Sequence, residues 1–579
     1  MFRLSRSERR FLWPMAPLLL AGCLSSPKSE TSVPVPSVPV PSGQAVTPEV
    51  APPRFTDVTE KAGIRWKYDP CRTGRKYLPE TVGGGGGFLD YNNDGLLDIL
   101  LINGRPLDGG KPTGPLPRHA LYENKGDGTF RDVTEKAGLT TSDYGMGAAV
   151  GDYDNDGWPD IYLTVVGKTR LFRNEKGHFT DVTARAKVAV DGFTTAAAWG
   201  DTDRDGDLDL LVSRYVEWTP ATDLPCGPVN ARQYCAPHQY TGAPPVFFRN
   251  NGNGTFTEAS KASGVLGHPS KTLAIAPFDF NGDGWLDFFL ANDTEPDVLL
   301  LNRKDGTFRD AALEAGIAVG ADGTPTGSMG VDVDTPFGDG RSTVAIGVFA
   351  GQQMSLFVVG ETAGDVPLFD NRKQDAGVAM PTATMTTFGL AYADVNNDSH
   401  PDVLIANGHI DDDQALTVGG KPISYEQPAQ LFLNRGNGTF EEIGAGAGLT
   451  TKTIGRGLAV GDYDNDGKAD VLLLTNEGAP HLFRNETVTN SNWLGLKLVG
   501  KKGPRDATGA LVTLIGNRGA RQTRCVTTVR SYLSCNDSRL LFGIPAGGFK
   551  EIEVRWPSGK TTVLRPSERN RYITITEEP

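Results

Sequence analysis

The chain has 579 residues, 22% of them charged and 38% hydrophobic, with 71 glycines; this excludes a disordered chain and suits a turn-rich β protein of several domains or one large repeat array. Its formal net charge of −13 speaks against a nucleic-acid partner, whose phosphates demand a basic face, and leaves either a solvated acidic surface or bound cations.

The N-terminus reads MFRLSRSERR, then the short apolar run FLWPMAPLLLAG, ending at Cys23. That run is too short to span a bilayer, which takes about 20 residues, and it predicts a secretory signal over residues 1–22. LAGC resembles the bacterial lipobox, which implies lipidation of Cys23. Residues 23–53 are rich in Ser, Pro and Val and read as an extended tether. Leu24 is not the aspartate associated with inner-membrane retention, so the expectation is an outer-membrane lipoprotein of the cell envelope, periplasmic or surface-exposed, held to the membrane through its lipid anchor only.

Next comes an isolated strand pattern, RFTDVTEKAGI, at 54–64, and then five glycines at Gly83–Gly87. No Lys-Ser/Thr follows them, so a phosphate loop is rejected in favour of close approach to a crowded axis. From Asp90 onward the spacing D-x-[DN]-x-[DN]-G-x-x-D recurs. Six copies carry a set of oxygen ligands for a hard cation at positions 1, 3, 5 and 9: Asp90, Asn92, Asp94 and Asp98; Asp152, Asp154, Asp156 and Asp160; Asp201, Asp203, Asp205 and Asp209; Asp279, Asn281, Asp283 and Asp287; Asp394, Asn396, Asp398 and Asp402; Asp462, Asp464, Asp466 and Asp470. Position 7 offers a carbonyl, Trp158 in the second copy, and position 6 is glycine except at Ser399. A seventh loop at Asp332 begins correctly and decays. Position 12 is apolar throughout, so these are not EF-hands, whose twelfth residue is a glutamate. About six calcium ions are expected.

Each loop lies between a small-residue strand and an apolar one, followed by two strands joined at an Asp-Gly or Asn-Gly turn, as in LYENKGDGTFRDVT. Four strands make a propeller blade. The last repeat lacks its fourth strand, which 54–64 supplies, so the prediction is an all-β, seven-bladed β-propeller over 54–486 with calcium loops. An insertion at 214–245 carries Tyr215, Trp218, Tyr234, His238 and Tyr240, aromatics suited either to stacking on a sugar or gripping a protein or, equally, to covering blade edges. Local pairing predicts disulfides Cys226–Cys235 and Cys525–Cys535 in an oxidising compartment, leaving Cys71 over. Residues 487–579 alternate in short runs with Gly-rich turns and predict a small β-sandwich or barrel.

These residues resemble FG-GAP/VCBS repeats, the integrin-type propeller blades, and more closely the cartilage acidic protein family, through segments such as LANDTEPDVLLLN, ANGHIDDD and NEGAPHLFRN. NWLGLKLVGKKGPRDATGALVTLIG onward is similar to the ASPIC/UnbV domain. The resemblance implies a calcium-stabilised binding or adhesion protein with a protein or glycan ligand at the cell envelope. The rival class is a propeller-fold lyase or hydrolase acting on polysaccharide. No catalytic residue is assigned, because no H-E-x-x-H or G-x-S-x-G occurs; His238 beside Cys235 and His409 before three aspartates are the clusters that would serve a second metal or acid–base chemistry.

Overall fold

The computed structural model describes residues 52–108, 110–267, 269–411 and 417–579; the expected signal, Cys23 and nearly all of the tether lie outside them. Among the described residues no helix is long and apolar enough to cross a membrane.

Each repeat forms a four-stranded antiparallel unit. In one, Tyr144–Gly151, Asp160–Lys168, Arg170–Asn174 and Phe179–Asp181 pair in order. Its inner strand is GAAVG-rich, since strands that converge on an axis have room only for small side chains. The second strand begins with six consecutive buried residues, as a strand covered on both faces must. Seven such units occur among the described residues. Their inner strands, starting at Gly86, Tyr144, Asp191, Thr272, Ser328, Thr387 and Gly455, touch in turn, and the last touches the first. This ring is a β-propeller, and its blades are numbered one to seven in that order. Phe55–Asp57 pairs antiparallel with His481–Asn485 to complete blade seven. With both chain ends in one sheet, the ring has no open edge.

The C-terminal residues form two further sheets. Trp493–Val499 lies between Leu540–Gly543 and Tyr572–Thr576, and Leu511–Gly516 and Phe549–Arg555 form the middle of a four-stranded sheet. Leu494, Leu496, Val512, Phe542, Ile552 and Trp556 share one core between them.

The two parts expected at 54–486 and 487–579 lie in one compact unit, Val50–Pro579. The chain between Cys525 and Leu540 leaves its own sheets and enters the propeller axis. Ser534–Cys535 pairs in parallel with Gly86–Gly87 of blade one. Tyr532 and Leu533 pack among Tyr144, Met146, Phe193 and Phe388, and the Tyr532 hydroxyl donates to the Val82 carbonyl at 2.6 Å. The plug accounts for two of the five glycines, since a Cβ on Gly85 would stand 2.6 Å from the Leu533 carbonyl oxygen and one on Gly87 would overlap the Cys535 carbonyl; at Gly83, Gly84 and Gly86 a Cβ would crowd Tyr68, Thr475 and Leu100 of the propeller itself. It also corrects a disulfide assignment. Cys226–Cys235 forms, with Cα atoms 5.3 Å apart, but Cys525 and Cys535 are free thiols, because the plug carries Cys535 into the core of blades one and two.

Candidate metal centres and the cleft above them

In all six predicted loops the side chain at position 1 accepts the backbone N–H of position 6. The pairs are Gly95 to Asp90 at 3.1 Å, Gly157 to Asp152 at 2.8 Å, Gly206 to Asp201 at 3.2 Å, and 2.8 Å for each of Gly284 to Asp279, Ser399 to Asp394 and Gly467 to Asp462. Ser399 reaches this geometry in the left-handed region, φ 75°, where glycine is cheaper, so the loop of blade six keeps its shape at some backbone cost. The aspartate at position 9 accepts two backbone N–H groups; Asp160 takes those of Tyr153 and Asn174.

Asn174 belongs to a set that the motif search overlooked. Each of Asn124, Asn174, Asn250, Asn302, Asn434 and Asn485 ends the third strand of a blade carrying a loop. Its amide donates to the carbonyl before the ninth loop residue and to a carbonyl in the adjoining blade; Asn174 bonds Pro159 at 3.0 Å and Tyr91 at 2.8 Å. The signal was present as a recurrent N-x-x-x-G-x-F starting at Asn124, Asn250, Asn302 and Asn434; Asn174 has one residue fewer before its glycine, and no such turn follows Asn485. Loop residue 4 joins neighbours too: Asn93 donates to Gly157, Asn155 to Gly206, Arg204 to Gly284, Asn397 to Gly467, and Asn465 to Gly95, which carries the chain of bonds from blade seven to blade one.

The donor sets fit a hard cation. Oxygens of Asp152, Asp154 and Asp160, of Asp201, Asp203 and Asp205, and of Asp462, Asp464 and Asp470 each converge within 4.8 Å. Asp152 is 3% exposed, and its Oδ1 has no hydrogen-bond partner. Burial, to which neighbouring carboxylates add, pushes Asp98 and Asp152 up to about 8 and Asp201, Asp394 and Asp462 up to about 7, the last two even though Arg524 and Arg539 oppose the shift. In the other three loops the residue at position 3 is asparagine, with its carbonyl oxygen accepting the N–H of residue 5 and its amide donating to the side chain of residue 5: 2.9 Å for Asn92 to Asp94, 3.1 Å for Asn281 to Asp283 and 2.9 Å for Asn396 to Asp398. The decayed loop does not fit. Pro336 and Gly340 replace its acids, and its two buried carboxylates face arginines, Asp334 with Arg524 at 3.0 Å and Asp332 with Arg530 at 3.8 Å.

Of the two readings of the aromatic insertion, the structure matches the covering loop and not the exposed gripping surface. Tyr215, Trp218, Tyr234 and Tyr240 are all buried. Tyr215, Trp218 and Tyr240 pack with Tyr77, Leu78 and Phe193 at the beginnings of the inner strands, the opposite end from the metal loops. Trp218 meets Tyr77 edge-on at 5.2 Å, and the Tyr234 hydroxyl donates to buried Glu80 at 3.0 Å. Residues 214–245 therefore belong to a lid over one end of the channel, since aromatic area left on a channel mouth is better used covering it. Of this group only His238 stays exposed, and its neighbour Cys235 is spent on a disulfide. His409 is buried and bonded through Nδ1 to Thr386 at 2.9 Å; Asp412 and Asp413 lie outside the described residues.

The FG-GAP-like repeat model matches residues 90–163, 236–290, 279–342 and 411–473, and the ASPIC and UnbV model matches 500–579. The chain carries FG-GAP-like repeats and an ASPIC and UnbV domain. It is 28% identical to human cartilage acidic protein 1 over 283 residues, 47% of this chain and 39% of that protein. To the Xenopus tropicalis protein of the same name it is 26% identical over 300 residues, 50% of this chain and 42% of that one. The chain thus spans about two fifths of the length of these curated relatives. Among solved structures it is similar to an Agrocybe aegerita lectin that recognises terminal N-acetylglucosamine, at 15% identity and a TM-score of 0.35 over 62% of this chain and 79% of that one.

The ASPIC and UnbV domain sits on the metal-loop rim. Asp506 accepts the Asp152 N–H at 3.1 Å, the Tyr572 hydroxyl donates to Asp462 at 2.9 Å, and Arg555 pairs with Asp279 at 3.1 Å. Between this domain and the loops of blades one, two and seven lies a cleft of about 730 Å³. Lys497, Arg505 and Arg571 line it without an ion pair among the described residues, Lys497 acting at longer range on Asp90, beside Asn93, Asn465 and Asn570. A cleft of this size at a domain boundary, with a few convergent polar groups, has the character of a ligand site.

Proposed function

We propose that this protein is a calcium-stabilised binding protein of the cell envelope, held by a lipid on Cys23 and recognising a protein or glycan through the rim cleft. The carrying observation is the cleft itself: three cations outside any ion pair among the described residues face a rim whose acids a bound ion would neutralise, so the occupied site favours a ligand bearing negative charge. A binding role agrees with the FG-GAP-like repeats and with a propeller whose channel is filled by the plug and covered by the lid. Binding of the full chain to arrays of envelope glycans and proteins, with calcium present, tests this reading. Lys497→Glu with Arg571→Glu is expected to lower affinity at least about ten-fold, through charge reversal near the ligand; undiminished binding by a folded variant overturns the site. For the anchor, wild type is expected to incorporate labelled fatty acid and Cys23→Ala to lose it. Equal labelling of both refutes lipidation at Cys23.

A further inference from the structure

The six loops fall into two kinds, and a residue outside the motif separates them. Position 3 is aspartate in blades two, three and seven and asparagine in blades one, four and six. The residue before the stapling asparagine is arginine in the first group, Arg173, Arg249 and Arg484, and Glu123, Leu301 or Leu433 in the second. Each arginine reaches the third aspartate of its own loop: Arg173 to Asp154 at 2.6 Å, Arg249 to Asp203 at 3.0 Å and Arg484 to Asp464 at 2.7 Å.

Each contact to the third aspartate is made to one oxygen, and each arginine also reaches a second acid of its loop: Arg173 meets Asp156 at 2.9 Å, Arg249 meets Asp209 at 2.6 Å and Arg484 meets Asp466 at 3.8 Å. Arg173 and Arg484 take Oδ2, while Oδ1 of Asp154 and of Asp464 is buried without a partner. In the asparagine loops the side-chain nitrogen is likewise engaged, on the aspartate at position 5, and one oxygen remains. An aspartate held by arginine and a lone asparagine therefore offer the same thing, a single oxygen and no added net charge. Lys304 and Lys468 meet the aspartate at position 5 and do not reach the third residue.

We propose that Arg173, Arg249 and Arg484 are positioning residues of the metal centres: each cancels the charge and blocks the outer oxygen of the third aspartate, so that all six loops present an equivalent site for a calcium ion. This rests on the loops holding calcium. The reason for equivalence is mechanical, since the bonds between residue 4 of one loop and residue 6 of the next tie the sites together.

Trp158 and Trp285 both occupy loop position 7, one in each kind of loop, and serve as local sensitisers for terbium. In the full chain, with the other tryptophan of the pair changed to phenylalanine, calcium affinity at each is read by displacement of terbium. Arg173→Leu, read at Trp158, is expected to bind calcium on the order of ten-fold more tightly, because an uncancelled charge now faces the ion. Asp154→Asn alone is expected to bind about ten-fold more weakly, and the double variant to return near wild type. If Arg173 merely braces the loop, Arg173→Leu binds no more tightly than wild type and the double variant stays weak, which overturns the proposal. Should the blade-two variants not fold, Asn281→Asp read at Trp285 decides: tighter binding supports the inference and unchanged or weaker binding refutes it. Failure of wild type to show sensitised terbium at either site refutes the calcium reading itself.

Discussion

A single asparagine amide joins two blades, and its loss strands buried carbonyls on both. Asn174→Ala frees Pro159 and Tyr91 carbonyls and the Gly177 N–H, so it is expected to cost about 3 kcal/mol, at 1–3 kcal/mol for each buried group left unpaired. Among the described residues blade five shows no such staple: Asn371 ends its fourth strand, donates to Ser355 at 3.5 Å and accepts the Lys373 N–H at 3.2 Å. Asn371→Ala is expected to cost under about 0.5 kcal/mol, as for a surface change; equal denaturant midpoints for the two variants would refute the staple. His119 carries a pH dependence. Burial holds it neutral down to about 4, with Nδ1 accepting the Asn103 N–H at 2.9 Å. Because the folded value is depressed below the ordinary 6.5 or so, the unfolded chain takes up a proton first as pH falls. Stability is then lost between about pH 6.5 and 4, by up to about 3 kcal/mol. His119→Asn keeps an acceptor and is expected to show a shallower fall of melting temperature over that range than wild type.

The metal loop is the element whose chemistry was most open to reading, because its ligands lie within nine residues and the reasons for their spacing are local. Chelation with EDTA is expected to lower the melting temperature by on the order of 10 °C, since several sites each contribute binding free energy to the folded state alone. An unchanged melting curve would show that arginines and backbone donors suffice to hold the acids. The plug is the opposite case. SYLSC reads as an ordinary short strand beside a turn, and nothing in its neighbours says that it leaves its own sheet. Leu533 is 4% exposed at the axis, and Leu533→Ala is expected to cost about 3 kcal/mol, the usual price of a buried leucine. A loss below about 0.5 kcal/mol, the range of exposed sites, would refute its place there.

At the scale of the molecule, the plug and the rim contacts tie the propeller and the ASPIC and UnbV domain together. Calorimetry of the calcium-bound protein is expected to show one transition for residues 50–579, as two bodies that share buried strands open together. Two well-separated transitions, with the C-terminal part melting alone, would count against this coupling. The same packing moves attention from the insertion to the cleft. Aromatic content and a disulfide marked 214–245 as a surface, whereas Lys497, Arg505 and Arg571 carry no motif and gather only when two domains meet.

The sequence by itself determined the four-stranded repeat, the metal loops, the orphan strand that completes blade seven and the disulfide nine residues long, because each depends on contacts within one repeat or on a count of strands. Only the tertiary structure decided where the aromatics of the insertion point, why five glycines precede the first loop, which cysteines stay apart and what the third-strand arginines hold. These are contacts between segments far apart in the chain, and local pattern carries no record of which distant surface will cover a residue.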